Sequence, residues 1–242
     1  MLSAKNIEKK LKEFASAKRK QANEWFFKTG KGQYGEGDIF IGVSMPDIRK
    51  VIKSHMNLEY VELELLLNSP LHEVRMAGVL ILTENAKIAT RKYNKEQLEK
   101  IAKFYLKNRK GVNNWDLVDV SVHYILGNAI LNDIFKLDLL ESLSSSDSLW
   151  DRRMSMVATW AFIRKSDVFP TIALAEKLLH DKEDLMHKAI GWMLRESWKR
   201  EPNIIEDFLL QHYTHLPRTT LRYAIEKMEE SKRKDFLNMK YK

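Results

Sequence analysis

The side chains of this chain best suited to chemistry fall in one short stretch, Gly111 to Val122, where Trp115, Asp116 and Asp119 follow two asparagines. Asn113 or Asn114 suits a helix N-cap, because its side-chain oxygen can accept from the free amides of a first turn. Asp116 then falls in that first turn, where the helix dipole favours a carboxylate. Asp119 sits a turn further in, where no cap is needed. It follows Trp115 by four residues and Asp116 by three, so the three side chains can share one face. Two readings of that face stand. In one, Trp115 is a core residue and Asp119 pairs with one of the chain's many cations. In the other, indole and carboxylate together hold something sugar-like or cationic.

Further candidates lie downstream. Trp192 shares a helix face with Lys188 and Arg195 in the segment from His187 to Glu196. A tryptophan among cations is expected at the surface, and Gly191 beside it is expected to leave room for close approach. Arg153 follows Trp150-Asp151-Arg152 and suits an ion pair with Asp116 or Asp119, or a phosphate contact. The chain has no cysteine. His123, His180, His187, His212 and His215 show no metal-ligand spacing, so neither a metal nor another cofactor is expected. No Ser-His-Asp order or nucleophile elbow is present. Gly30, Gly32 and Gly35 match the spacing of a dinucleotide fingerprint, but that motif needs a strand before it and a helix after it, within a strand–helix alternation absent here.

The elements that must position these groups read as helices. Ile7, Leu11, Phe14 and Ala15 recur at helical spacing, which predicts a helix over residues 3 to about 27. It ends in Trp25, Phe26 and Phe27, an aromatic patch expected in the core. Five of the nine glycines fall within residues 30–42, a glycine-rich loop or short hairpin ending in Ile39-Phe40-Ile41. Residues 30–38 are expected to be solvent-exposed and to contact a ligand through Lys31 and Tyr34. Met45-Pro46-Asp47 opens the next helix. From there the chain reads as helical almost throughout, with no segment alternating at the period of a half-buried strand.

A basic position recurs along these helices, at Arg75, Arg153, Lys188 and Arg222. The last two spacings are 35 and 34 residues, and the first, 78, covers about two such periods with the Trp115–Asp119 stretch between. Periods of roughly 35–45 residues of paired helices mark HEAT-like or armadillo-like arrays. The expected fold is therefore all-α, one HEAT-like repeat domain over 1–242 forming an α-solenoid. Arg75, Asp119, Arg153, Lys188 and Arg222 would line its concave, basic face.

Composition bounds the function. Apolar residues at 44% and charged residues at 31% of 242 give the balance of a soluble globular protein with a substantial core. A net charge of +8 points toward a polyanion such as nucleic acid. No apolar run reaches the length of a membrane span, and the opening Met1-Leu2-Ser3-Ala4-Lys5 lacks the apolar region of a signal peptide. With no cysteine to oxidise, a cytoplasmic protein is expected.

At Trp115 to Asp119, at Trp150 to Arg153 and at Lys188 to Glu196, the chain resembles the AlkD family of DNA alkylation repair proteins. The resemblance runs from about residue 20 to about residue 230. It implies a HEAT-like solenoid whose concave face clasps duplex DNA. It makes Asp119 the catalytic aspartate, Trp115 and Trp192 the aromatic pair on the lesion's deoxyribose, and Arg153 a contact to the DNA backbone. It implies a DNA glycosylase that excises cationic N3- and N7-alkylpurines without flipping the base into a pocket. The chemistry fits a lone carboxylate: a purine already cationic leaves without a strong general acid, and what remains is an oxocarbenium-like sugar.

The glycine-rich segment from Lys28 to Asp38 is similar to the AlkF branch of the family, which prefers branched DNA and shows no base excision. The alternative reading is thus a non-catalytic HEAT-like binder of branched or damaged DNA. A HEAT scaffold for proteins would need neither the basic positions nor the Trp/Asp pair. The expected partner is double-stranded or branched DNA, met by a monomer through Arg75, Arg153, Lys188, Arg222, Lys31 and Tyr34, with no membrane involved.

Overall fold

Helix caps cut the chain where serines offer them. In the computed structural model, which describes residues 2–238, the expected first helix is two helices. Ser3 caps α1 (Ala4–Glu13), its hydroxyl accepting from the Asn6 amide at 3.2 Å. Ser16 caps α2 (Ala17–Phe26), accepting from Arg19 at 3.4 Å. A serine within a helical run can give its oxygen to the backbone in place of the ladder, so the break falls at that residue. α1 buries Ile7 and Leu11, whereas α2 buries none of its residues. The aromatic patch splits as well. Phe27 is buried, but Phe26 is 55% exposed and Trp25 81% exposed. Successive helical residues point about 100° apart, so three in a row cannot all face one core.

Contacts divide the chain into two compact units, Met1–Ile125 and Leu126–Lys242. The first unit continues with α3 (Met45–Ile52), α4 (Tyr60–Leu67), α5 (His72–Arg91), α6 (Lys95–Lys107) and α7 (Trp115–Asp119). α5 is its axis. It is buried without interruption from His72 to Thr83, and α1, α3, α4, α6 and α7 pack against it. The second unit holds α8 (Asn128–Leu131), α9 (Asp138–Ser144), α10 (Leu149–Ala158), α11 (Trp160–Ile163), α12 (Phe169–Lys177), α13 (Asp184–Trp198), α14 (Pro202–Gln211), α15 (Arg218–Ala224) and α16 (Glu230–Asn238). Here α13 is the axis, packed by α10, α11, α12, α14 and α15. Arg153, Lys188 and Arg222 each stand fifth in their helices, α10, α13 and α15.

The glycine-rich segment is not a hairpin. Residues 30–38 form successive turns, with Gln33 donating to the Gly30 carbonyl and Glu36 to that of Gln33, both at 3.0 Å. Ile39 then makes one isolated parallel bridge with Leu71. Gly42 has φ +80, and a Cβ there would meet the Ser16 carbonyl oxygen at 2.2 Å and the Lys20 amide at 2.5 Å. Only glycine lets the segment cross the start of α2 so closely. Among the described residues there is no strand, so the all-α expectation holds. None of their helices is long and apolar enough to cross a membrane.

Candidate functional site

The helix that carries Trp115 and Asp119 is anchored to one polar relay at two points. Asn114 is fully buried and extended, and its side-chain oxygen accepts from the Trp115 amide at 2.8 Å. Its amide nitrogen donates to Asp38 Oδ2, also at 2.8 Å. Asp116 accepts from the Leu117 amide at 2.8 Å through Oδ1, the first-turn role expected of it, while its Oδ2 faces His72 Nε2 at 2.9 Å. The other ring nitrogen of His72 faces Asp38 Oδ2 at 2.8 Å. Arg75 closes the relay by pairing with Asp38 Oδ1 and donating to the Ser69 carbonyl at 2.9 Å. The order is thus Asp116–His72–Asp38–Arg75, joining α7, α5 and the end of the glycine-rich segment.

Alternating charges make this burial tolerable. Burial works against the His72 imidazolium, but the charge and hydrogen bond of Asp116, then those of Asp38, outweigh it and push His72 up to about 9. Both ring nitrogens therefore donate at neutral pH. Burial likewise opposes the Asp38 carboxylate, yet His72, Arg75 and Asn114 together hold it down to about 2. A raised histidine stabilises the fold fully below its unfolded value near 6.5, and that contribution is lost as pH rises through about 9. A lowered aspartate contributes above about 3.8, and its share is lost as pH falls through about 2. Denaturant midpoints are therefore expected to fall between pH 7 and pH 10, and His72→Gln should flatten that limb. Unchanged midpoints over this range would contradict a buried imidazolium.

An aromatic cluster sits beside the relay. Phe27 stacks on Trp115 with centroids 5.2 Å apart and planes 15° apart, and Phe26 meets the same indole edge-on at 5.9 Å. Phe40 stacks on Phe27 at 4.8 Å and on the His72 ring at 4.3 Å. Trp115 remains half-buried, as does Asp119 one turn later at the end of α7. Glu73, the neighbour of His72, fixes the segment behind this cluster. Its carboxylate accepts from the amides of Ile41, Gly42 and Val43 at 3.0, 2.8 and 3.2 Å.

The remaining expected site residues differ in burial. Arg75, expected to face DNA, is only 4% exposed, and its guanidinium serves Asp38 and Ser69. Arg153 is 5% exposed, and its Nη1 donates to the Leu185 carbonyl in the first turn of α13. Both donate to acceptors in a neighbouring element of the fold. Lys188 is half-buried and pairs with Asp184 at 2.8 Å. Arg222 and Lys31 are exposed. Tyr34 is half-buried, its hydroxyl donating to the Phe26 carbonyl at 3.3 Å.

Trp192 is half-buried and meets Trp160 edge-on at 5.1 Å. The space expected beside it at Gly191 is taken by α15: a Cβ there would lie 2.5 Å from the Thr220 carbonyl oxygen and from Tyr223 Cβ. The glycine serves helix packing. The glycine-rich segment is exposed over most of 30–37, but it ends in the buried Asp38 carboxylate and is part of the scaffold there. Asp38, His72, Phe40 and Glu73 were not singled out from the sequence, and Phe27 was read only as core. No short motif marks them, because each meets partners 30 or more residues away.

The fold has a counterpart among solved structures. Its fold is similar to a solved structure described as a predicted DNA alkylation repair enzyme from Enterococcus faecalis, with a TM-score of 0.69. The likeness covers 89% of this chain and 97% of that one at 14% sequence identity. No curated protein matches the chain. Residues 7–228 match the family model described as DNA alkylation repair enzyme, and the chain belongs to that family. Membership carries a role in DNA alkylation repair, with DNA as the partner.

Proposed function

We propose that this protein is a DNA glycosylase that excises cationic N3- and N7-alkylpurines from duplex DNA without base flipping. The observation that carries this reading is on α7. There the half-buried Asp119 follows the half-buried Trp115 by one turn, on a helix held by Asn114 and by the Asp116–His72 pair. A carboxylate on so fixed an element needs little reorganisation when charge develops opposite it. In the proposed reaction the bond between C1′ and the purine nitrogen breaks, and its electron pair leaves with the base. The base departs neutral because it was cationic at the start. Positive charge appears on the deoxyribose, where the Asp119 carboxylate and the Trp115 face favour it. Asp119 then orients the water that adds to C1′, and the proton this water loses passes to the Asp119 carboxylate and on to solvent. The role of a second indole for Trp192 rests on the family resemblance. Chromatographic measurement of methylated purine released from alkylated duplex DNA tests the proposal, and no release above background would refute it.

A second reading is favoured by the exposed turns around Lys31: a non-catalytic binder of branched or damaged DNA. DNA binding without base release would select it. Both readings require affinity that falls steeply with salt, through counterion release. Arg222→Ala is expected to flatten the log–log salt slope by about one. Arg153→Ala should instead lower stability first, since its guanidinium is buried against Leu185. Titrations at several salt concentrations, with melting curves for both variants, separate these effects. Salt-independent binding would contradict either reading.

A further inference from the structure

α2 holds an aromatic pair that the fold does not bury. Trp25 is 81% exposed and Phe26 55% exposed, and no residue of α2 is buried. So large an indole left in water stabilises nothing inside the unit, and exposed apolar surface of this kind marks a place of contact. Helical spacing sets Lys18, Ala22 and Trp25 along one side, with Arg19 and Phe26 along the next. Phe26 lies edge-on to Phe27 at 5.2 Å and to Trp115 at 5.9 Å. The exposed pair is therefore continuous with the cluster around Trp115.

The charge around it is positive. Between Ser16 and Gly37 stand Lys18, Arg19, Lys20, Lys28 and Lys31 against Glu24 and Glu36. Glu24 approaches Lys20 at 3.7 Å, and Glu36 accepts from the Gly32 amide at 2.7 Å. Lys18, Arg19, Lys28 and Lys31 are exposed. An exposed indole flanked by cations suits a strand of nucleic acid whose base has lost its stacking partner. Every base has a π face, so the indole selects for lost stacking rather than for sequence, while the cations hold the adjoining phosphates.

We propose that Trp25, flanked by Lys18 and Arg19, is a stacking platform for an unpaired nucleobase in the DNA this protein binds. This rests on the DNA-binding reading above and adds a base-contacting residue outside α7. Two DNAs of equal length distinguish it: a continuous duplex, and one with a single-nucleotide gap that leaves the opposite base unpaired. Trp25→Ala is expected to weaken binding to the gapped DNA roughly tenfold. Its affinity for the continuous duplex, and the salt slope, should stay at the parent values, because an indole carries no charge. Trp25→Phe should restore most of the loss. With 2-aminopurine as the unpaired base, the parent should quench its fluorescence and Trp25→Ala should not. The exposure of Trp25 means that both variants should melt with the parent. Equal affinity of parent and Trp25→Ala for the gapped DNA would overturn the proposal, as would equal loss on both DNAs. So would binding to anionic vesicles that depends on Trp25 while the gapped DNA is unaffected. A parent that binds neither DNA would overturn the DNA-binding reading itself, so the two failures are distinct.

Discussion

Asp119→Asn is expected to cut excision of alkylated purines by roughly 10²- to 10³-fold while leaving fold and DNA affinity near those of the parent. The amide keeps the shape of the carboxylate and removes the charge that faces the oxocarbenium-like sugar. Asp116→Asn should behave differently, although it lies three residues away on the same helix. Asp116 accepts from the Leu117 amide and from His72, so its carboxylate works within the scaffold. Its loss weakens the imidazolium's support, and the variant should melt earlier while excision per folded molecule largely persists. Trp115→Ala and Trp192→Ala are expected to lower excision as well, and Trp115→Ala also removes the ring on which Phe27 stacks. Single-turnover rates on alkylated duplex, set beside melting curves, separate the variants. Equal loss of rate in Asp119→Asn and Asp116→Asn, or full activity in Asp119→Asn, would sink the assignment.

Asp38→Ala should cost about 3–5 kcal/mol of stability, the usual result of removing one partner from a buried ion pair. Against a total of roughly 5–15 kcal/mol for a domain, that is a large share. Asp38 accepts from His72, Arg75 and Asn114, so its removal leaves a buried guanidinium without its carboxylate, takes one of two carboxylates from the His72 imidazolium and unties the cap of α7. Denaturant titration gives the magnitude. A double-mutant cycle gives the cause: Arg75→Ala should cost much less in the Asp38→Ala background than alone, because the stranded charge is gone. A surface-sized loss below about 1 kcal/mol would mean that the relay is not a buried network.

These two predictions draw on different kinds of information. The Trp115/Asp119 pair was legible in the sequence because both residues lie within one helical turn, and local geometry fixes which residues share a face. The same holds for the all-helical class and for the regular spacing of Arg153, Lys188 and Arg222, which recur at one register of α10, α13 and α15. Local rules also misled. Trp25, Phe26 and Phe27 read as one core patch, yet only Phe27 turns inward. The serine at 16 splits a run whose apolar periodicity favoured one long helix.

Spacing along the chain is thus enough to read periodicity: helices, and pairs of residues one turn apart. Burial and pairing were decided by tertiary structure. Arg75, Arg153 and Arg222 are the same residue type, and the sequence reading set them in one basic series. The first two are buried because an acceptor, Asp38 or the Leu185 carbonyl, is folded against them, while the third stays exposed. His72 became a charged bridge because folding brings Asp38 and Asp116 to opposite sides of its ring from 34 and 44 residues away. An electrostatic field depends on distance in space, and no spacing along the chain records it.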